Sequence, residues 1–456
     1  MEALELARLQ FAVTAGFHFF FVVLTLGLAP AVAIMETRYV ISGKKVFRDM
    51  TRFWGQIYVI NYALGILTGL IMEFQFGFAW SGVSKFVGNV FGAPLAMETL
   101  VAFFLESTFL AMWIFGWHVF GRKTHCLLIW LVTATAYMSA FWIMVANSFM
   151  QDPQGYEVRD GVGHLTDFNA LLTHEGLWYA LPHIVGAAGL VTGFLMIAFS
   201  AYAFLRDREL RRSAGLRRRA AMPDDVREDR TFHLSSMRMG VLFAALGSGL
   251  NFHYSHVKLY YLEEVQPLKY GQWADRGPED LAFTQEQMVE LYGPGDYEAS
   301  SLASGAAVLM EELGMLFLLV AVFVLPFLLL FNLLARWRPL LVLTLLLPPL
   351  PFVATMSGWI YREMGRQPYV VYGELTTADA VSPVSTSLLA VSLTAFTVLV
   401  LTLTVINWSL ILRTVRRGWR SVRLGAETQD PDAEVGPGSG SGADPGPDDL
   451  STPVRL

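Results

Sequence analysis

The sequence predicts an all-α, polytopic membrane bundle of about nine transmembrane helices. Three observations carry that expectation. Hydrophobic residues make up 54% of the chain and charged residues only 16%. Long uncharged runs recur along its length. Lys and Arg concentrate in alternate connections between those runs.

The runs cover roughly 14–36, 55–80, 94–119, 125–148, 175–205, 235–257, 303–335, 340–361 and 385–412, each long enough to cross a bilayer. The first follows Glu2 and Glu5 and is too long for a signal-peptide core, so it is read as a span. The second contains Asn61 and Glu73-Phe-Gln75, and the third Glu98 and Glu106. Ser139 and Asn147 lie in the fourth. The fifth begins with Pro182-His183, followed by Gly186-Ala-Ala-Gly189. Met310, Glu311 and Glu312 open the seventh. The eighth runs into Gly358-Trp-Ile-Tyr-Arg-Glu-Met-Gly-Arg-Gln-Pro-Tyr369. Arg362, Glu363 and Arg366 thus fall where a span meets its interface, a depth at which an ionisable group is costly unless it is paired or bound.

One set of connections carries Lys44, Lys45, Arg48 and Arg52, then Arg122 and Lys123, then Arg206 to Arg219, Arg336 and Arg338, and Arg413 to Arg420. The alternate set, including 151–174 and 263–298, is poor in Lys and Arg or acidic. The positive-inside rule makes the basic set cytoplasmic, with the N-terminus outside and the C-terminus inside. Residues 1–420 are expected to form the bundle, with an outer loop at about 258–302 and a basic cytoplasmic loop at about 206–234. The Gly, Pro, Ser and Asp-rich stretch at 421–456 reads as a disordered cytoplasmic tail.

Cys126 is the single cysteine. That excludes an internal disulfide, a Cys-x-x-Cys-His haem attachment, iron–sulfur ligation and a Cys-rich zinc site. There is no internal repeat of the kind that marks many transporters.

The expected topology puts His18, His183, Met310 and Glu363, from four spans, at one depth towards the outer face. Haem iron accepts His and Met axially, and a carboxylate suits high-spin iron with an open position. So many candidates suggest more than one haem. Each residue has an alternative. A buried His can simply bond a neighbouring helix, and Met is ordinary core filler. Gly186 to Gly189 would admit either a flat macrocycle or another helix. His118, His125, His164 and His233 fall at span ends or in loops and are expected to be solvated.

Glu98 and Glu106 are eight residues apart, about 12 Å along an α-helix and about 80° around it. They could be two steps of a proton path through one interior, or two carboxylates bonded to neighbouring helices.

Several blocks carry a family resemblance: Arg8-Leu-Gln-Phe11 with His18; Met72-Glu-Phe-Gln-Phe-Gly77; Gly92-Ala-Pro-Leu-Ala-Met-Glu98; Phe103-Phe-Leu-Glu-Ser-Thr108; Val145-Ala-Asn147 with Met150-Gln151; and Gly358-Trp through Gly365-Arg-Gln-Pro368. The chain resembles subunit I of cytochrome bd-type oxygen reductases. The resemblance implies His183 and Met310 as axial ligands of a low-spin haem b. It implies His18 and Glu363 as ligands of two high-spin haems, one b and one d, or a third haem b. Trp359, Arg366 and Gln367 match its haem-contacting signature. Glu98, Glu106 and Ser139 match its proton route. Lys258 and Glu263 are possible equivalents of its quinol-site residues. It further implies reduction of dioxygen to water with electrons from quinol, proton uptake from the cytoplasm, a second membrane subunit, and a prokaryotic cytoplasmic membrane. Lipid is the expected surround and no nucleic-acid partner is expected. Two alternatives stay open: a bd-like haem protein with another electron donor or no oxidase activity, and a proton-coupled transporter using Glu98 and Glu106.

Overall fold

The computed structural model describes residues 2–213, 224–331 and 333–425. The first half is helical throughout, apart from one hairpin. Its elements are α1 (Ala3–Ser42), α2 (Lys45–Phe78), α3 (Ser81–Ala96), α4 (Phe104–Phe115), α5 (Arg122–Gln151), the hairpin β1 (Tyr156–Arg159) and β2 (Val162–Leu165), α6 (Phe168–Leu172) and α7 (Glu175–Ser213). Next come α8 (Asp224–Val265), α9 (Pro267–Trp273), α10 (Pro278–Tyr292), α11 (Ser301–Leu318), α12 (Leu325–Leu330), α13 (Arg338–Leu346) and α14 (Pro349–Met364). The hairpin β3 (Tyr369–Val371) and β4 (Leu375–Thr376), α15 (Thr377–Ala380) and α16 (Thr386–Arg417) complete it. Two π-helical segments, Met97–Phe103 and Leu319–Val324, make α3–α4 and α11–α12 continuous rods.

Eight helices among the described residues are long and apolar enough to cross a membrane. The ninth expected stretch, 235–257, lies inside α8. That helix has 42 residues and ample length. Arg238, Asn251, His253 and His256 make it too polar to qualify by composition. The expected outer loop is largely helical, made of the end of α8 with α9 and α10. Residues 214–223 of the basic loop and 426–456 of the tail lie outside the described residues.

Glycines decide how α7 and α8 meet. A Cβ on Gly186 would stand 2.6 Å from the Asn251 nitrogen, and one on Gly247 2.5 Å from the Leu190 nitrogen. The small-residue run of α7 therefore admits a helix, giving the close backbone packing typical of membrane interfaces. Buried amides and hydroxyls fasten α16 to α1 and α2. Ser392 donates to Gln10 (2.6 Å), and Asn407 donates to Asn61, which donates to Thr25. Each satisfies polar groups that hydrocarbon would leave bare.

His125 is not solvated: it is 4% exposed. Its Nδ1 lies 2.5 Å from Glu36 Oε1, its Nε2 donates to the Trp113 carbonyl at 2.9 Å, and Trp113 Nε1 donates to Glu36 Oε2 at 2.8 Å. His125 is near the start of its span, but α1 and α4 close over it. Position along a helix does not reveal such cover.

Candidate functional site

α1 and α2 form the first wall of the site. His18 Nδ1 lies 2.9 Å from Thr68 Oγ1, whose own proton goes to the Gly65 carbonyl at 2.7 Å. The threonine can then only accept, so Nδ1 carries the hydrogen and Nε2 keeps its lone pair. Gly69 lets the ring lie flat on α2, since a Cβ there would be 3.3 Å from Cε1. On α7, His183 Nδ1 is 3.2 Å from the Asn251 carbonyl of α8 and equally far from Ser255 Oγ. A carbonyl only accepts, so Nδ1 of His183 carries the hydrogen and Nε2 keeps its lone pair, with the Asn251 Nδ2 amide 3.4 Å from it.

α11 and α14 supply the opposite wall. The Met310 thioether packs on Gly358, and Gly365 makes room for the stem of Lys269. One turn further, Glu363 accepts from Asn147 Nδ2 at 2.9 Å and from Arg366 at 2.7 Å. Arg362 Nε donates to Asn147 Oδ1 at 2.6 Å. Arg366 is buried, yet among the described residues its Nε and NH1 have no partner, and neither does NH2 of Arg362. Uncompensated guanidinium N–H groups at such a site are expensive.

These residues share one cavity of about 1560 Å³. It exceeds the ~300–1,000 Å³ usual for small-molecule pockets. His18, His183, Met310, Glu363, Trp359, Arg366, Gln367, Lys258, Glu98, Glu106 and Ser139 all line it, with Phe and Leu side chains between them. Glu263 does not. It is half-exposed and paired with Arg276.

Ser139 donates to Glu98 Oε1 at 2.7 Å, and Thr99 bridges Glu98 Oε2 (3.1 Å) and Glu73 Oε1 (2.8 Å). Glu106 is 5% exposed and accepts from Tyr58 at 3.4 Å. The interval between Glu98 and Glu106 crosses the π-helical segment, so the expected 80° α-helical offset does not apply. Both carboxylates reach the cavity nonetheless. A widened turn of this kind leaves no mark in hydrophobic periodicity.

Several contributors carry no signal in the sequence. Lys269 in the outer segment is 6% exposed; it donates to Gln266 Oε1 at 3.1 Å and to the Arg362 carbonyl at 3.2 Å. Burial holds its ammonium well below the ordinary lysine range, and the charges of Lys258 and Arg362 push the same way. Gln266 in turn donates to Gln151 Oε1 at 3.1 Å. A lysine in a polar loop ordinarily reads as solvated. Only the fold of α9 onto α14 buries this one.

Comparison with known proteins identifies the family. The family described as cytochrome bd terminal oxidase subunit I matches residues 6–276 and 304–419. Cytochrome bd ubiquinol oxidase subunit 1 of Bacillus subtilis (strain 168) is 35% identical over 475 aligned positions, covering 92% of this chain and 94% of the relative. Cytochrome bd-II ubiquinol oxidase subunit 1 of Escherichia coli (strain K12) is 42% identical over 279 positions, 60% of this chain and 50% of that one. The bd oxidase structure from Geobacillus thermodenitrificans superposes with a TM-score of 0.77 at 20% identity, covering 91% of this chain and 99% of that chain, and shares the fold. The chain is a multi-pass membrane protein and belongs to the cytochrome bd terminal oxidase subunit I family.

Proposed function

We propose that this chain is the haem-bearing catalytic subunit of a terminal oxidase that reduces dioxygen to water with electrons from a quinol, working with a second membrane subunit. One observation carries the proposal: a single cavity collects His18, His183, Met310 and Glu363 beside guanidinium N–H groups that have no partner among the described residues. The fit to haem is chemical. Two imidazoles present unprotonated Nε2 atoms, that of His183 under only a long 3.4 Å contact from Asn251 Nδ2; a thioether and a carboxylate complete the donor set, and the spare N–H groups of Arg366 and Arg362 suit propionates.

In this reading His183 and Met310 hold a low-spin haem b. His18 and Glu363 hold the two high-spin haems, either b and d or both b. Bound haem supplies the electron storage and oxygen chemistry; the protein supplies ligands, charge and protons. Thr68 and Asn251 orient the two imidazoles by fixing which nitrogen carries hydrogen. Trp359 and Gln367 shape the cavity wall, and the apolar side chains between the polar groups exclude water.

Each water formed takes up two protons, and hydrocarbon does not conduct protons. Ser139, Glu98, Thr99 and Glu73 form one hydrogen-bonded series and Tyr58 with Glu106 another, all able to pass a proton towards the cavity. With the basic connections cytoplasmic and the N-terminus outside, that movement carries positive charge from the cytoplasmic side part-way across the membrane, which makes turnover electrogenic.

The donor site is proposed at the outer end, where Lys258 lines the cavity and Lys269 donates to both Gln266 and the Arg362 carbonyl. A second reading, a donor other than quinol, is favoured by one observation: Glu263 is occupied by Arg276 and does not reach the cavity. The deciding experiment has two steps on the purified complex. The dithionite-reduced absorption spectrum should show low-spin b and high-spin haem bands, and their absence overturns the proposal. Quinol-dependent oxygen consumption should follow. Haem bands without it leave the second reading.

A further inference from the structure

Arg362 and Glu363 are neighbours in sequence, opposite in charge and largely buried. Direct guanidinium–carboxylate pairing is the strongest contact open to such groups. They do not make it. Arg362 Nε donates instead to Asn147 Oδ1 at 2.6 Å, and Asn147 Nδ2 donates to Glu363 Oε1 at 2.9 Å.

We infer that Asn147 is a positioning residue that holds Arg362 away from Glu363, keeping the carboxylate available as a ligand and the guanidinium available to an anion. A guanidinium only donates and an ionised carboxylate only accepts, so a single amide orientation satisfies both neighbours. Flipped, the amide sets N–H against N–H and oxygen against oxygen. Glu363 is left with one direct cationic partner, Arg366, on its other oxygen at 2.7 Å. Among the described residues Arg362 NH2 stays buried and unpartnered, as do Nε and NH1 of Arg366. One turn along α5, Gln151 donates to the Arg362 carbonyl at 3.3 Å. The same helix thus fixes both the main chain and the side chain of Arg362. A simple tie between α5 and α14 would tolerate any side chain that packs there. A separator depends on the sign of the charge on each side.

This inference rests on Glu363 being a ligand of a high-spin haem, and the test separates the two. The complete complex is purified with E363Q, N147L, N147D, R362Q or the double substitution N147L/R362Q. Haem content and reduced-minus-carbonyl difference spectra are recorded. E363Q is expected to alter the high-spin signal. N147L and N147D are expected to lower its amplitude about tenfold or more, the lower end of what a supporting residue commands, while the low-spin bands stay at full strength. N147L/R362Q is expected to match R362Q alone, which carries only the loss of the anion partner, since no guanidinium then competes for Glu363. An unchanged E363Q spectrum overturns the ligand role and the inference with it. An altered E363Q spectrum with an unchanged N147L spectrum overturns the inference alone. A double variant that falls well below R362Q does the same, because Asn147 would then serve only as a tie. Should N147L fail to assemble, N147D against wild type decides: a carboxylate that keeps the full high-spin signal overturns the inference, and a tenfold loss supports it.

Discussion

The thioether sulfur of Met310 rests against the backbone of Gly358, so close that a Cβ on Gly358 would stand 2.7 Å from it. The glycine that opens the signature block of α14 therefore sets where the sulfur lies. Gly358→Ala should move the thioether, the free end of a flexible side chain, with little cost to the fold. The expected outcome is a shifted or diminished low-spin haem band in the reduced spectrum, with the complex still purifying intact. An unshifted band would discard Met310 as a ligand.

His183→Ala should remove the low-spin haem signal altogether. Thr68→Val is subtler. It keeps the shape beside His18 but deletes the oxygen that receives the Nδ1 hydrogen. Loss of such an orienting partner typically costs about 10–100-fold in affinity or activity. Haem content and turnover of T68V should fall within that range, and wild-type values would show that Thr68 does not orient His18.

Glu98→Gln keeps the size of the side chain and removes its ability to carry a proton. Turnover should fall by about a hundredfold, the order expected for losing a positioned acid–base group. The reduced spectrum should not change. Oxygen-electrode rates set beside spectra check this, and a coupled loss of both would assign Glu98 a structural role.

His125→Leu leaves the Glu36 carboxylate buried among Trp113 and apolar neighbours with its main partner gone. Breaking a buried pair from one side typically costs about 3–5 kcal/mol. Thermal unfolding of the complex should shift down sharply in H125L. A double variant with Glu36→Leu should recover part of the loss, because no unpaired charge then remains.

Lys269 gives the outer segment a pH dependence of predictable sign. Its pKa is lowered in the folded protein, so across the interval between that value and about 10.4 the unfolded chain binds more protons. Stability of the outer segment should therefore rise with pH through the alkaline range below the ordinary lysine value. Lys269→Met should flatten the rise. Melting curves across that range, read for wild type and variant, check both statements.

Much of the site was legible in the chain. His18, His183, Met310 and Glu363 stood out because ionisable or soft donor groups in long apolar runs are costly, and the alternation of basic connections put them at one level. The blocks from Met72 to Gly77 and from Gly358 to Pro368 carried the family resemblance. His125 was misjudged because burial at a span end depends on which other helices arrive there. The pairing of Glu263 with Arg276 was not legible, because the two lie on either side of a turn.

The sequence by itself determined that this is a helical membrane protein, which spans carry donors, and which family it resembles. These follow from composition, run length and motif, all local properties of the chain. Only the tertiary structure decided that Gly186 to Gly189 admits a helix, that α3 and α4 join through a π-helical turn, and that Lys269 is buried. It alone set Asn147 between Arg362 and Glu363. Each of these depends on residues tens to hundreds of positions apart meeting in a low-dielectric interior, where pairing and burial, not local pattern, set the energy.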